Sequence, residues 1–340
     1  MKAIVYERFG SPDVLELREV SKPGVRPGEV LVRVRAASPN PYDWHLMRGM
    51  PYIARPAMGF LKPKNSILGS DMAGDVEAVG DGATRFRRGD AVFGFVGAGG
   101  FAEYVSVTEQ RLTLKPANLT FEQAATVPLA AMTALQGLRD AGEIRSGQRV
   151  LIVGASGGVG TFAVQVAKWY GADVTGVSST RNLELVRSIG ADRVIDYTRE
   201  DFTQRGKEYD LIFQLAGTAS PSACLRALTP RGTLVLSSGD SPGRIIGPVG
   251  RIIKAVVLAP FVGETIRVLT TKAGSDDLKF LKELIEAGSV TPVIDRTYPL
   301  SQAPDAIRYL ETGRARGKVV ISVLDGAKGK QAMTQETSQA

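Results

Sequence analysis

The chain of 340 residues is nearly empty of soft metal ligands, with one cysteine, Cys224, and one histidine, His45. A single thiol excludes an internal disulfide and any thiolate metal cluster, in keeping with a reducing compartment. Long apolar runs are missing too. No uninterrupted stretch approaches the length of a membrane span. The opening Met1-Lys2-Ala3-Ile4-Val5-Tyr6-Glu7-Arg8 meets charge before a signal-like core can build, so the cytoplasm is the expected address. Strong charge bias is also lacking: 42 Lys and Arg stand against 35 Asp and Glu, spread along the chain. That excess would help attract an anionic cofactor but gives no ground for a nucleic-acid partner. With 44% hydrophobic residues, the chain is long enough for two ordinary domains with proper cores.

What is present is concentrated between 148 and 181. Arg149-Val150-Leu151-Ile152-Val153 is a nearly continuous apolar run rich in β-branched residues, which fits a strand buried on both faces. A glycine turn, Gly154-Ala155-Ser156-Gly157-Gly158-Val159-Gly160, follows at once and meets the phosphate-binding pattern as Ala155-x-Gly157-x-x-Gly160. Apolar residues at Val159, Phe162, Ala163, Val166, Ala167 and Tyr170 then recur on one face of a helix that ends at Gly171. A second strand over 174–177 closes a βαβ unit. The missing side chain at Gly157 lets backbone approach a pyrophosphate, and Gly160 lets helix and strand pack closely. The turn residues Ala155, Ser156, Gly157, Gly158, Val159 and Gly160 are therefore expected to bind a dinucleotide.

One further absence selects the cofactor. An NAD enzyme usually places Asp or Glu about 20 residues after the glycines, to bond the ribose 2′-hydroxyl. Here the chain reads Ser178-Ser179-Thr180-Arg181. Hydroxyls and a guanidinium suit a 2′-phosphate, so NADP(H) is expected, held by Ser178, Ser179 and Arg181.

Elsewhere the text alternates between two kinds of pattern. From 2 to about 120 it reads as short strands punctuated by Gly69, Gly74, Gly80, Gly89, Gly94, Gly99 and Gly100, the spacing of a small curled antiparallel barrel. A helical region begins near 121, interrupted by Pro128. Strands over 193–195, 209–215 and 232–236 alternate with helices, so the second sheet is read as parallel and doubly wound. Its strand-end loops, with Gly217, Ser237 and Gly239, should face the cofactor. The apolar segment 245–261 is read as a helix packed against the other domain, with a membrane-surface helix or a wall of the substrate cleft as alternatives. A strand over 266–270 should form a sheet edge able to pair two subunits, and 290–298 and 317–323 look like strands returning to the barrel. The tail 325–340 is polar, without periodicity, and is expected to be disordered.

Taken together, Ser38-Pro39-Asn40-Pro41-Tyr42-Asp43, Gly69-Ser70-Asp71-Met72-Ala73-Gly74, Gly99-Gly100-Phe101-Ala102-Glu103-Tyr104, the glycine turn and Gly317-Lys318-Val319-Val320 resemble the medium-chain dehydrogenase/reductase superfamily. Within it the chain is similar to the zinc-independent quinone oxidoreductase and enoyl reductase branch, over residues 1 to about 324. The resemblance implies an α/β fold: a GroES-like β-barrel catalytic domain (1–122 and 272–324) with an inserted Rossmann doubly wound parallel-sheet domain (123–271). Where zinc-dependent relatives place a cysteine ligand this chain has Asn40, and where they place Gly-His-Glu it has Gly69-Ser70-Asp71; the four-cysteine zinc loop is missing as well. With one His and one Cys neither tetrahedral site can be assembled, and no metal is expected.

The implied activity is NADPH-dependent hydride transfer to a quinone or α,β-unsaturated carbonyl by a small homo-oligomer, a dimer being expected. A conventional alcohol dehydrogenase acting on carbonyls, or a catalytically weak crystallin-like or RNA-binding-like cofactor binder, stays open as an alternative. The resemblance also implies roles for single residues. Asn40 would fix the nicotinamide ribose or the substrate oxygen, Thr133 would bond the same region, and Tyr52 or water would donate the proton. Tyr197 would lie beside the adenosine phosphate and Lys318 near the cofactor. His45, as the only histidine, is a candidate acid on its chemistry, with a hydrogen-bonded structural role the favoured reading.

Overall fold

The computed structural model describes residues 1–217, 219–237 and 249–323. Gly239, residues 245–248 of the apolar segment and the tail 325–340 lie outside them.

The β-branched runs around the glycine turn form a six-stranded sheet in which every pairing is parallel. In space its strands run Arg193–Asp196, Asp173–Ser178, Arg149–Val153, Tyr209–Gln214, Leu228–Leu236 and Thr265–Val268. The first strand in sequence, Arg149–Val153, thus has the second on one side and the fourth, Tyr209–Gln214, on the other. Chain direction across the sheet reverses between those two, which opens a crevice beyond Val153 and Gln214 where ligands of such sheets bind. Leu151, Ile152, Ile212 and Phe213 are fully buried, as a sheet covered by helices on both faces requires.

A second, seven-stranded sheet is mostly antiparallel and built around Glu29–Ser38. That long strand pairs along one side with Asp71–Val79. Its other side is shared, the first half bonding Tyr104–Thr108 and the last residues bonding the returning strand Lys318–Ser322. Sharing one strand between early and late partners brings residues 38–40 beside 318–319, and Ser38 Oγ donates to Val319 O at 2.7 Å. The helices Phe121–Ala125, Pro128–Gln136 and Ser275–Glu286 join the two sheets into one continuous core, which includes Ala36 and Phe93 from one sheet and Ile152 and Phe213 from the other.

The structure differs from the sequence reading in several places. A helix, Pro41–Arg48, interrupts the stretch read as strands and turns. Its cause is local: Asn40 and Asp43 form a capping box and Pro41 opens the first turn, where its missing N–H costs nothing. Among the described residues of the helix Val249–Leu258, buried Ala255 joins Ile212, Leu234 and Leu236 of the parallel sheet and not the core of the other one. Finally, the strand read as starting at 232 starts at Leu228, and that read from 290 starts at Ile294.

Candidate functional site

The glycine turn leaves the strand Arg149–Val153 at Gly154, whose φ of +89° favours glycine, and enters the helix Gly158–Trp169. Its glycines divide the work as their spacing suggests. A methyl on Gly160 would sit 2.1 Å from Gly154 O, so only hydrogen allows helix and turn to touch. A methyl on Gly157 would meet nothing nearer than Gly154 O at 3.4 Å, so that face of the turn is open. Ala155 and Ser156 are buried, while Val159 packs half-buried against the core. Asn182 Nδ2 donates to Ser156 Oγ at 3.0 Å, and Asn182 Oδ1 is buried with no partner. A buried orphan acceptor costs stability unless something bonds it. Beside an open glycine turn, a sugar hydroxyl fits that requirement.

The turn is fastened to the other sheet. Gly317 N donates to Ser156 O at 2.8 Å, and Gly157 forms an isolated parallel bridge with Gly317. The aliphatic stem of Lys318 runs along Gly158 so closely that a methyl there would be 3.0 Å from its Cδ.

From this clamp Lys318 reaches a buried polar centre made of Asn40, Asp43, Ser70 and Asp71, all three per cent exposed or less. Lys318 Nζ donates to Asn40 Oδ1. Asn40 Nδ2 faces Asp71 Oδ2 at 2.9 Å, Ser70 Oγ at 3.1 Å and Ser38 O at 3.3 Å. Asp43 accepts from Asn40 N, Ser70 Oγ and Gly69 N at 2.8, 2.9 and 3.2 Å. Asp71 takes Leu129 N with both oxygens at 3.1 Å, capping the start of the helix that carries Thr133. Burial pushes the Asp71 carboxyl up to about 7 and the Asp43 carboxyl up to about 6, with the Lys318 ammonium opposing both. Desolvation in turn lowers Lys318, against the pull of the two carboxylates.

The Asn40 amide bonds Asp71, Ser70 and Lys318 and so ties the centre together. Thr133 is buried one turn beyond Leu129, with its hydroxyl on Leu129 O at 2.7 Å and 2.9 Å from Thr271 Oγ1. Tyr52 is outside this network. It is 44% exposed, with its ring 4.7 Å from the Arg55 guanidinium. His45 stacks on Trp44 at 3.7 Å, and its Nδ1 lies 3.0 Å from Met50 O.

The residues expected to take the 2′-phosphate are more open by comparison. Ser178 is buried and Ser179 half-buried, whereas Arg181 is exposed and donates to Arg314 O at 2.9 Å. Tyr197 is 62% exposed. Next to it stands a carboxylate that the sequence reading passed over. Asp196 accepts from the Thr180 hydroxyl and from Thr198 N and Oγ1, and the Thr180 bond leads in holding it below the usual carboxylate range. Its position beside Tyr197 was the available signal. Asp43 and Asp71 were likewise missed as site residues, although both stand in the quoted motifs. Gly217 and Ser237 follow the adjacent strands Tyr209–Gln214 and Leu228–Leu236, with Ser237 N on Gln214 O at 3.1 Å, at the crevice.

The model of the alcohol dehydrogenase GroES-like domain matches residues 26–117, and that of a zinc-binding dehydrogenase matches 189–321. A 2-methylene-furan-3-one reductase of Solanum lycopersicum is 36% identical over 335 residues, covering 94% of this chain and 79% of the relative. An NADPH-dependent alkenal/one oxidoreductase of Arabidopsis thaliana is 37% identical over 339 residues, with the same coverage. Among solved structures, the quinone oxidoreductase from Coxiella burnetii superposes with a TM-score of 0.83 at 33% identity, covering 95% of this chain and 99% of its own.

Proposed function

This chain belongs to the medium-chain dehydrogenase/reductase superfamily, among its quinone and enone oxidoreductases, and from that premise we propose that it is an NADPH-dependent reductase of conjugated acceptors working without zinc. The observation that carries the reading is the buried centre. The Asn40 amide donates to both the Ser70 hydroxyl and the Asp71 carboxylate, the Ser70 hydroxyl donates to Asp43, and an ammonium is directed at the amide oxygen. That donor set does not fit a tetrahedral zinc, and among the described residues no group of three or more His, Cys, Asp and Glu could hold a metal ion. Without a metal to stabilise an alkoxide, reduction of an isolated carbonyl is disfavoured. A quinone or enone spreads the developing charge over its conjugated system and needs only neutral hydrogen bonds.

When bound, NADPH would supply a hydride to the electron-poor carbon of the acceptor, and a proton from solvent would complete the two-electron reduction. Ala155, Ser156, Gly157, Gly158, Val159 and Gly160 would cradle its diphosphate against the helix start. Ser178, Ser179 and Arg181 would take the 2′-phosphate, Tyr197 would cover the adenosine end, and Gly217 and Ser237 would line the nicotinamide side. Thr133 would bond near the nicotinamide, on a helix whose start is fixed by Asp71. Solvent is favoured as the proton source because Tyr52 is exposed, and a general acid must be held within hydrogen-bond reach of the atom it protonates.

Membership of the two sheets supports a catalytic part over 1–122 and 272–324 and a cofactor part over 123–271. Among the described residues the strand Thr265–Val268 pairs on one side only, and it is the proposed seam of a dimer, which analytical ultracentrifugation would reveal as a mass of two chains and refute as one. Among the described residues no helix is long and apolar enough to cross a membrane, and we place the protein in the cytoplasm, testable by fractionation. The function itself is tested by elemental analysis together with NADPH oxidation in a strong chelator. Metal-free protein that keeps its quinone or enone turnover is expected; stoichiometric zinc lost together with activity would overturn the reading.

A further inference from the structure

Lys318 is buried, yet it is the cation of a centre that also buries two carboxyls, and it touches two structures at once. Its stem lies along Gly158 of the glycine turn. Its ammonium bonds Asn40 Oδ1, and the other end of the same amide bonds Asp71 Oδ2 at 2.9 Å. An amide held between a cation and an anion has one orientation, because flipping it would turn its NH₂ toward the ammonium and its oxygen toward the carboxylate. Asp71 in turn holds Leu129 N and so the helix of Thr133. A chain of contacts therefore runs from the glycine turn through Lys318, Asn40 and Asp71 to the start of the helix that carries Thr133. Gly317 N on Ser156 O fastens the same junction through the backbone.

We propose that Lys318 is a positioning residue that couples the phosphate-binding turn to the Asn40–Asp71 centre, so that the two ends of the cofactor site are held in register by one buried charge pair acting through an amide. The proposal deepens the NADPH reading and rests on it for its consequence in turnover, but the coupling itself exists without cofactor. Removing the ammonium would leave Asp71 buried beside an amide free to rotate, and an uncompensated buried charge disturbs its surroundings more than the loss of the pair does. Removing both charges should therefore be milder than removing one.

The test uses full-length Lys318→Met, which keeps a stem able to pack on Gly158, Lys318→Arg, and the double variant Lys318→Met/Asp71→Asn. Three quantities are read: hydrogen exchange of residues 154–160 in cofactor-free protein, NADPH Kd by fluorescence, and kcat and KM against pH. Lys318→Met is expected to speed exchange in 154–160 and weaken NADPH about tenfold, the scale of losing one net hydrogen bond to a charged group. The double variant is expected to recover most of both, and Lys318→Arg to recover part. The pH profile should change in Lys318→Met and return toward wild type in the double variant. A Met variant indistinguishable from wild type would reduce Lys318 to packing and overturn the proposal. If the Met variant weakens NADPH and the double variant recovers nothing, Lys318 acts on the cofactor alone, which also overturns it. Should Lys318→Met not fold, a folded double variant supports the coupling and an unfolded one contradicts it. Wild-type protein that binds no NADPH would sink the function reading, while the exchange comparison would still decide the coupling.

Discussion

The two groups of residues proposed to hold the cofactor and the reacting centre are built on opposite principles. At one end Asn40, Asp43, Ser70, Asp71 and Lys318 are buried and bonded to one another, and their charges are set by desolvation. At the other, Arg181 and Tyr197 stand in solvent on the edge of the parallel sheet, with Asp196 beside them. Buried networks are costly to form and hold one geometry; exposed charges act at a distance, are screened, and adapt to what they meet. Under the proposed function, geometry at the reacting centre is fixed in advance, and the residues around Arg181 select between cofactors through charge.

Perturbations at the two ends should therefore behave differently, and the glycine turn between them offers the largest effect. Gly160→Val puts branched carbon against Gly154 O, and is expected to abolish NADPH binding together with much of the folded protein, read by circular dichroism and fluorescence titration. Gly157→Ala meets open space and should fold normally while weakening NADPH about tenfold, because its methyl stands where a diphosphate would approach. Equal damage from both substitutions would show that the turn has no open face.

At the ribose end, Arg181→Ala should weaken NADPH by about 1.5–3 kcal/mol, the range for hydrogen bonds to charged groups, and leave NADH nearly unchanged. Isothermal titration with both cofactors checks this. Similar losses for the two would make Arg181 a structural contact to Arg314 and remove the stated basis for selectivity.

The buried end should show itself in pH dependence instead. Asp71 and Asp43 rise from 3.8 to about 7 and about 6 on folding, so the native protein holds protons that the unfolded chain releases. Stability contributed by these groups is full below the unfolded values and is lost as pH rises through 6 to 7. Denaturation by urea from pH 5 to 8 should give a falling stability in wild type and a flatter line in Asp71→Asn. Parallel slopes would mean that Asp71 ionises as readily folded as unfolded. The smallest effect is reserved for Tyr52→Phe. With solvent as proton source, turnover should change by less than about threefold, whereas a general acid would cost about a hundredfold.

How far the sequence disclosed all this follows from the range of the interactions. The strand, glycine turn and helix over 149–169 were legible because each signal is local: β-branched residues, then glycines, then apolar spacing of 3.6. The capping box of Asn40 and Asp43 is equally local and was overlooked because everything from 2 to about 120 was read as short strands and turns. The buried centre was legible only as the substitution of Asn40 and Ser70 for metal ligands. That Asn40 spends its amide on partners 31 and 278 positions away is written in no local pattern; it follows from one long strand serving both early and late partners. For the same reason the fastening of Ser156 to Gly317 appears first in the structure.

The central claim, that a metal-free centre reduces conjugated acceptors and little else, is tested most directly by one paired measurement. Chelator-treated protein is assayed for NADPH oxidation with a simple quinone and a simple enone, and for NADP⁺ reduction with simple saturated alcohols. Turnover of at least one conjugated acceptor, with none measurable for the alcohols, is the predicted result. Alcohol oxidation by metal-free protein at a rate matching its best quinone or enone would contradict it, since that requires an alkoxide stabiliser which Asn40, Ser70 and Asp71, bonded as they are to one another, do not supply.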